Sequence, residues 1–129
     1  MSADITIPVG ADPATAIGQL TFDAQGLLPA IVQQWDSREV LMLGWMDAEA
    51  VRRTMTEGRV TYWSRSRQEY WRKGDTSGHV QFVRALAYDC DGDTLLVEVD
   101  QHGAACHTGT RSCFDGRSLD VVAAPSPTP

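Results

Sequence analysis

Two short stretches hold most of the side chains able to do chemistry. Asp89-Cys90-Asp91-Gly92-Asp93 packs three carboxylates and one thiol into five positions, and carboxylates that close repel one another unless a cation or solvent screens them. Their hard oxygens suit Mg²⁺ or Ca²⁺, whereas the thiol suits Zn²⁺. An EF-hand fits poorly: Gly92 is fourth in the run, where that loop's glycine is sixth, and strands rather than helices are expected on either side. Without a cation the run reads as a solvated acidic turn. Downstream, Cys106 and Cys113 stand seven apart across Gly109, with His107 beside the first. Together with Cys90 they supply three thiolates, which leaves a tetrahedral zinc one open position, as in catalytic sites. Zinc in such a site brings the pKa of its water from about 15.7 to about 7, making that water the expected nucleophile. His107 is the first candidate for general base, because imidazole titrates near neutrality; standing alone it would read equally as a surface histidine. The other reading of the thiols is as buried free cysteines, which behave as small hydrophobes, and no Cys-x-x-Cys pair is present.

A third constellation is basic. Arg59, Arg65, Arg67, Arg72 and Lys73 bring five of the eleven basic residues of an acidic chain into fifteen positions. The Lys73-Gly74-Asp75-Thr76-Ser77-Gly78 loop beside them offers a lysine, hydroxyls and glycine-exposed amides, a set that binds phosphate well. Ser64, Arg65, Arg67, Lys73, Thr76 and Ser77 are therefore the expected contacts to a phosphorylated small molecule. A charged strand edge that discourages aggregation is the alternative. The order and spacing of glycine and lysine exclude a Walker loop.

These residues need a scaffold, and 129 residues suffice for one hydrophobic core but not for two ordinary domains. Residues 1–18, rich in Ala, Asp, Pro and Gly, read as a flexible arm, residues 19–122 as one domain, and residues 123–129, with three prolines, as a disordered tail. Ala30 to Trp35 and Val40 to Trp45 are apolar-rich runs joined by a polar turn, which predicts a hairpin. Asp47 is a good N-cap and Gly58 a good stop, so one short helix is expected near residues 48–57. Val60 to Arg67 alternates as a strand does. His79 to Cys90 and Asp93 to Gln101 predict a second hairpin meeting at Asp91-Gly92. If the strand reaches that far, Asp89 and Asp91 share one face and Cys90 points to the other, so the thiol and the aspartates would serve different sites. The expected class is mainly β (α+β), a compact twisted two-sheet or pseudo-barrel domain.

Charge and hydropathy narrow the partners. A formal net charge of -6 argues against nucleic acid, whose phosphates are bound mainly through Lys and Arg. No apolar run approaches the roughly 20 residues of a membrane helix, and Met1 to Gly10 lacks the features of a signal peptide, so a cytoplasmic protein that binds no membrane is expected.

Three segments resemble the phosphoribosyl-AMP cyclohydrolase family of histidine biosynthesis: Tyr62-Trp-Ser-Arg65-Ser-Arg67, Trp71-Arg-Lys73-Gly-Asp-Thr-Ser-Gly78-His79, and Asp89-Cys-Asp-Gly-Asp93 followed by Ala105-Cys106-His107-Thr-Gly-Thr-Arg-Ser-Cys113-Phe114. Asp75 stands where that family commonly has glutamate and Tyr70 where it has leucine; neither swap removes a metal ligand. The resemblance implies a homodimer in which Cys90, Cys106 and Cys113 bind zinc, Cys90 coming from the other subunit, and in which Asp89, Asp91 and Asp93 bind Mg²⁺. It also implies that water attacks C6 of the N1-substituted adenine of phosphoribosyl-AMP and breaks the N1 to C6 bond, the third step of the pathway. Some relatives carry a fused C-terminal pyrophosphohydrolase domain, and that activity is expected to be absent here. Two other readings differ in kind. A non-catalytic zinc-stabilised binding module would close the zinc with His107. A cytidine-deaminase-like hydrolase would need a His-x-Glu and Pro-Cys-x-x-Cys signature that is missing.

Overall fold

A computed structural model describes residues 12–123. Most of the expected N-terminal arm and all of the expected tail except Ala123 therefore lie outside the described residues. Within the former arm a helix forms, α1 (Pro13–Ile17), with Pro13 at its start and Asp12 as N-cap accepting from the Ala14 N–H. A proline at the first helical position costs no hydrogen bond and presets φ, so the composition that suggests a loose arm also fits a short helix start. Ile17 packs on the core.

The main sheet has four strands. β1 (Leu28–Gln34) and β2 (Val40–Met46) form the first expected hairpin, pairing Ile31 with Leu43. Helix α2 (Ala48–Glu57) follows, and Asp47 accepts from the Ala50 N–H while Gly58 closes the helix with φ 71°. A left-handed C-cap is the place where glycine has no steric cost. Thr54 joins the helix to the next strand: its hydroxyl donates to the Ala50 carbonyl and accepts from the Thr61 N–H. β5 (Gln81–Tyr88) and β6 (Leu95–Gln101) make the last hairpin. Spatial order is β2-β1-β6-β5, with β6 parallel to β1 and Leu95 beside Ala30.

A second, two-stranded sheet departs from the sequence reading. The alternating run stops at Ser64: β3 (Thr61–Ser64) turns through residues 65–68 into β4 (Glu69–Arg72), which pairs Tyr62 with Trp71 and Trp63 with Tyr70. Gln68 adopts φ 55° and its N–H bonds the Ser64 carbonyl, closing the turn. Arg65 and Arg67 therefore sit on a hairpin tip and not on opposite faces of a strand. The two sheets do not close into a barrel, and two helices are present among the described residues. Leu28, Ala30, Val32, Leu41, Met46, Val60, Tyr62, Val97 and Val99 form the core between sheet and helix. No helix among the described residues is long and apolar enough to cross a membrane.

Candidate active site

The loop after β6 is built by polar groups that reach it from inside. Tyr62 donates its hydroxyl to Gln81 Oε1 at 2.7 Å, Gln81 donates to Gln101 Oε1 at 2.8 Å, and Gln101 donates to the carbonyls of Gly103 and Arg111. Both glutamines are buried, and a buried amide without partners would cost a few kcal/mol, so this relay fixes where the loop begins and returns. The Ala105 and Cys106 N–H groups then bond the carbonyls of Arg111 and Thr110, and the Cys113 N–H bonds the Leu41 carbonyl at 2.8 Å. Ser112 adds a hydroxyl bond to the Val40 carbonyl. Cys106 and Cys113 are thereby clamped to the same end of β2.

Their thiols influence each other and are shifted in opposite directions. Cys106 is pulled down to about 6, first by the Thr108 hydroxyl, which lies 3.0 Å from its sulfur, and by the Thr108 N–H, with Arg117 adding positive charge. Cys113 is pushed up by burial and then by Cys106, while Lys73 and Arg117 work the other way. A thiolate beside a second sulfur is a donor set suited to a soft divalent metal. His107, next in sequence to Cys106, is exposed. Thr108, quoted within the motif but given no role, and Arg117, which lies outside every motif, are contacts that sequence reasoning missed.

Cys90 is elsewhere. It sits exposed at the tip of the β5–β6 turn, and the whole of β6 separates it from Cys106. Seven residues of strand at about 3.3 Å each span roughly 23 Å. The turn also revises the reason why Cys90 faces away from its neighbours: strand pairing ends at Tyr88, so turn geometry, not strand alternation, parts them. Asp89 Oδ1 accepts from the N–H groups of Asp93 and Thr94, and Gly92 at φ 75° makes the bend. In consequence Asp89, Asp91 and Asp93 offer carboxylate oxygens all within 4.8 Å of one another, fully exposed to solvent. Asp91 is pushed up by the carboxyls of Asp93 and Asp89. For Asp89, desolvation is outweighed by hydrogen bonds from Asp91 and from the Asp93 and Thr94 N–H groups, and it is pulled down. Three exposed carboxylates with this mutual repulsion fit a hard, oxygen-bound cation such as Mg²⁺.

A groove of about 550 Å³ runs along β2 and the β3–β4 hairpin, lined by Met42, Gly44, Trp45, Tyr62, Trp63, Arg65, Arg67 and Trp71 among others. Arg65 stacks over the Trp45 ring at 4.4 Å and makes no ion pair among the described residues. Ser64 lines the same groove. Its base is close-packed, since a Cβ on Gly44 would lie 2.3 Å from the Tyr62 ring. The tryptophans are the second feature that the sequence reading passed over; their interleaving with Ser64 and Arg65 was the available signal.

The expected phosphate patch divides. Arg67 pairs loosely with Glu69, while Arg59 and Arg72 are engaged by Asp75. Thr76 and Ser77 are exposed in the turn, with Ser77 accepting from the His79 N–H. Lys73 needs correction. It is 4 % exposed, and its ammonium points inward to donate to the carbonyls of His79 and Ala104 at 2.9 and 3.0 Å. A lysine so held is not available to a phosphate at the surface.

Comparison with known proteins gives consistent results. Residues 42–115 match the family model described as phosphoribosyl-AMP cyclohydrolase. A phosphoribosyl-AMP cyclohydrolase of Arthrobacter sp. (strain FB24) is 72% identical over 116 residues, 90% of this chain and 87% of the relative. One from Leifsonia xyli subsp. xyli is 72% identical over 83% of this chain and 86% of its own length. One from Acidothermus cellulolyticus is 62% identical over 95% of this chain and 85% of the relative.

Proposed function

The chain belongs to the phosphoribosyl-AMP cyclohydrolase family, and from that premise we propose that it hydrolyses the N1 to C6 bond of phosphoribosyl-AMP in histidine biosynthesis, as a zinc- and Mg²⁺-dependent homodimer. The observation that carries the reading is that the loop of Cys106 and Cys113 is tied to the strand that lines the aromatic groove: the Cys113 N–H bonds Leu41, the neighbour of the groove residue Met42. A purine ring would stack on Trp45, Trp63 or Trp71, and Arg65 would meet a phosphate.

Cys106 and Cys113 of one subunit and Cys90 of the other would hold zinc, and when bound this ion supplies Lewis acidity that makes water a competent nucleophile near neutral pH. His107, exposed beside Cys106, takes the proton of the attacking water. The water oxygen becomes the carboxamide oxygen at C6, and N1 leaves with a proton as part of the formimino group. Asp89, Asp91 and Asp93 would hold Mg²⁺, which offsets the two phosphates of the substrate in a chain of net charge -6. Arg67, Thr76 and Ser77 remain peripheral contacts in this reading, and Lys73 leaves the set.

A second subunit finds support in the outer face of the main sheet. Val40 and Leu43 are 42% and 48% exposed there, and the half-buried Ile31 and Leu96 continue the patch across β1 and β6, in register with Leu43. The purified protein should convert phosphoribosyl-AMP to the ring-opened product and lose that activity on zinc chelation. Absence of turnover with both metals supplied would reject the reading, and unfolding on chelation without any activity would favour the zinc-stabilised binding module.

A further inference from the structure

Lys73, the sole lysine of the chain, is buried and its charge has no carboxylate partner among the described residues. Its two hydrogen bonds go to neutral carbonyls, those of His79 and Ala104, and among the described residues it makes no ion pair. An ammonium has three donors, and removing it from water without a counter-charge costs several kcal/mol. Burial pushes Lys73 down, and the group that acts the other way is Cys113, a thiol that becomes an anion when it binds a metal. The Ala104 carbonyl belongs to the residue two positions before Cys106, so the same ammonium ties the end of β4 to the cysteine loop.

Charge counting gives this arrangement a purpose. Three thiolates around one Zn²⁺ leave a formal charge of about -1 on the centre, and an unpaired buried cation beside them is its complement. We propose that Lys73 is a positioning residue that balances the thiolate-rich metal centre and holds the Cys106 loop in its liganding conformation. The proposal rests on the zinc reading above, and it assigns Lys73 to the metal side of the site and not to the substrate's phosphates.

The test compares the full-length wild type with Lys73→Met and Lys73→Arg. Zinc affinity is measured by competition with a chromophoric chelator, and Co²⁺ loading by its thiolate charge-transfer absorption. At the effective dielectric of protein sites, losing one charge beside a thiolate should weaken zinc binding by roughly ten- to a hundredfold. Lys73→Met should show that loss and a weaker Co²⁺–thiolate band with the fold retained by circular dichroism, and Lys73→Arg should recover most of the affinity. A purely structural lysine would not give recovery by a bulkier cation together with a charge-dependent metal affinity. Wild-type affinity in Lys73→Met overturns the proposal while leaving zinc binding intact; a wild type that binds no zinc overturns the zinc reading itself. Should Lys73→Met not fold, Lys73→Gln, which keeps a donor but no charge, carries the same comparison. If neither neutral variant folds with or without zinc while Lys73→Arg folds, the role is structural only and the proposal fails.

Discussion

The separation of the cysteines makes the proposed sharing of a zinc site open to a decisive experiment. Two thiolates on one zinc, each about 2.3 Å from the ion, can be no more than about 4.6 Å apart. Cys113 is fixed over β2, because its N–H bonds Leu41, which lies at the register irregularity opposite Val32 and Gln33, the residues paired with Val97 and Glu98 in β6. Cys90 is fixed where β6 begins: the Asp89 N–H bonds the Thr94 carbonyl and keeps the turn tight. β6 spans roughly 23 Å between the Cys90 turn and the loop that carries Cys106, and that separation is the reason to expect Cys90 to serve a different copy's site. In the proposed isologous dimer, a two-fold axis would bring Cys90 of each copy to Cys106 and Cys113 of the other. Cys90→Ala and Cys106→Ala should each be inactive. Unfolded and refolded together in equal amounts, they should form about half mixed dimers, in which one site collects both lesions and the other none. About a quarter of wild-type activity should return if pairing is random and sites are independent. No recovery, with mixed dimers shown by native mass spectrometry, would refute the reasoning and require a rearranged single-chain site.

Three further outcomes follow from the same geometry. His107→Ala should lower kcat by about 10² with zinc still bound, since a positioned proton acceptor contributes on that scale; metal analysis alongside steady-state kinetics checks it, and zinc loss would make the imidazole a ligand. Asp91→Asn removes a charged oxygen donor from the exposed triad, so the Mg²⁺ concentration for half-maximal activity should rise by about tenfold, read from a metal titration; an unchanged titration leaves the run as a solvated acidic turn. Gly44→Ala places a methyl 2.3 Å from the ring of fully buried Tyr62, and overpacking of this kind should destabilise the fold by about 1–3 kcal/mol, measured by urea denaturation; a neutral result would mean that Tyr62 moves freely.

What could be read from the sequence was local. Helix α2 was bounded correctly because Asp47 and Gly58 carry their capping chemistry in their own side chains, and both long hairpins announced themselves through apolar runs and the Asp91-Gly92 turn. The β3–β4 hairpin was misread because Ser64-Arg65-Ser66-Arg67 alternates in residue type while its backbone turns. The closing contacts, Gln68 N–H to the Ser64 carbonyl and Gln68 Nε2 to the Arg65 carbonyl, involve carbonyls with no signature in residue type. The candidate metal ligands were legible by kind, but strand alternation, the local reason for setting Cys90 apart, ends at Tyr88.

Lys73 shows why the remainder was out of reach. In sequence it continues a basic run and opens a glycine-containing loop, which is the pattern of a phosphate contact. Its fate is decided by two backbone carbonyls, one of them 31 positions away at Ala104, and by the proximity of Cys113, brought there through the bond from its N–H to the Leu41 carbonyl. Such contacts exist only once the core has formed: Tyr62, Gln81 and Gln101 must be buried together before the loop after β6 can be anchored. Burial then reverses the chemistry expected of the residue, because a cation enclosed by neutral carbonyls answers to whatever negative charge lies inside with it. On the proposed reading the charge that Lys73 balances is that of its own chain's metal centre, and the substrate's phosphate is left to Arg65, whose exposed guanidinium stacks over Trp45.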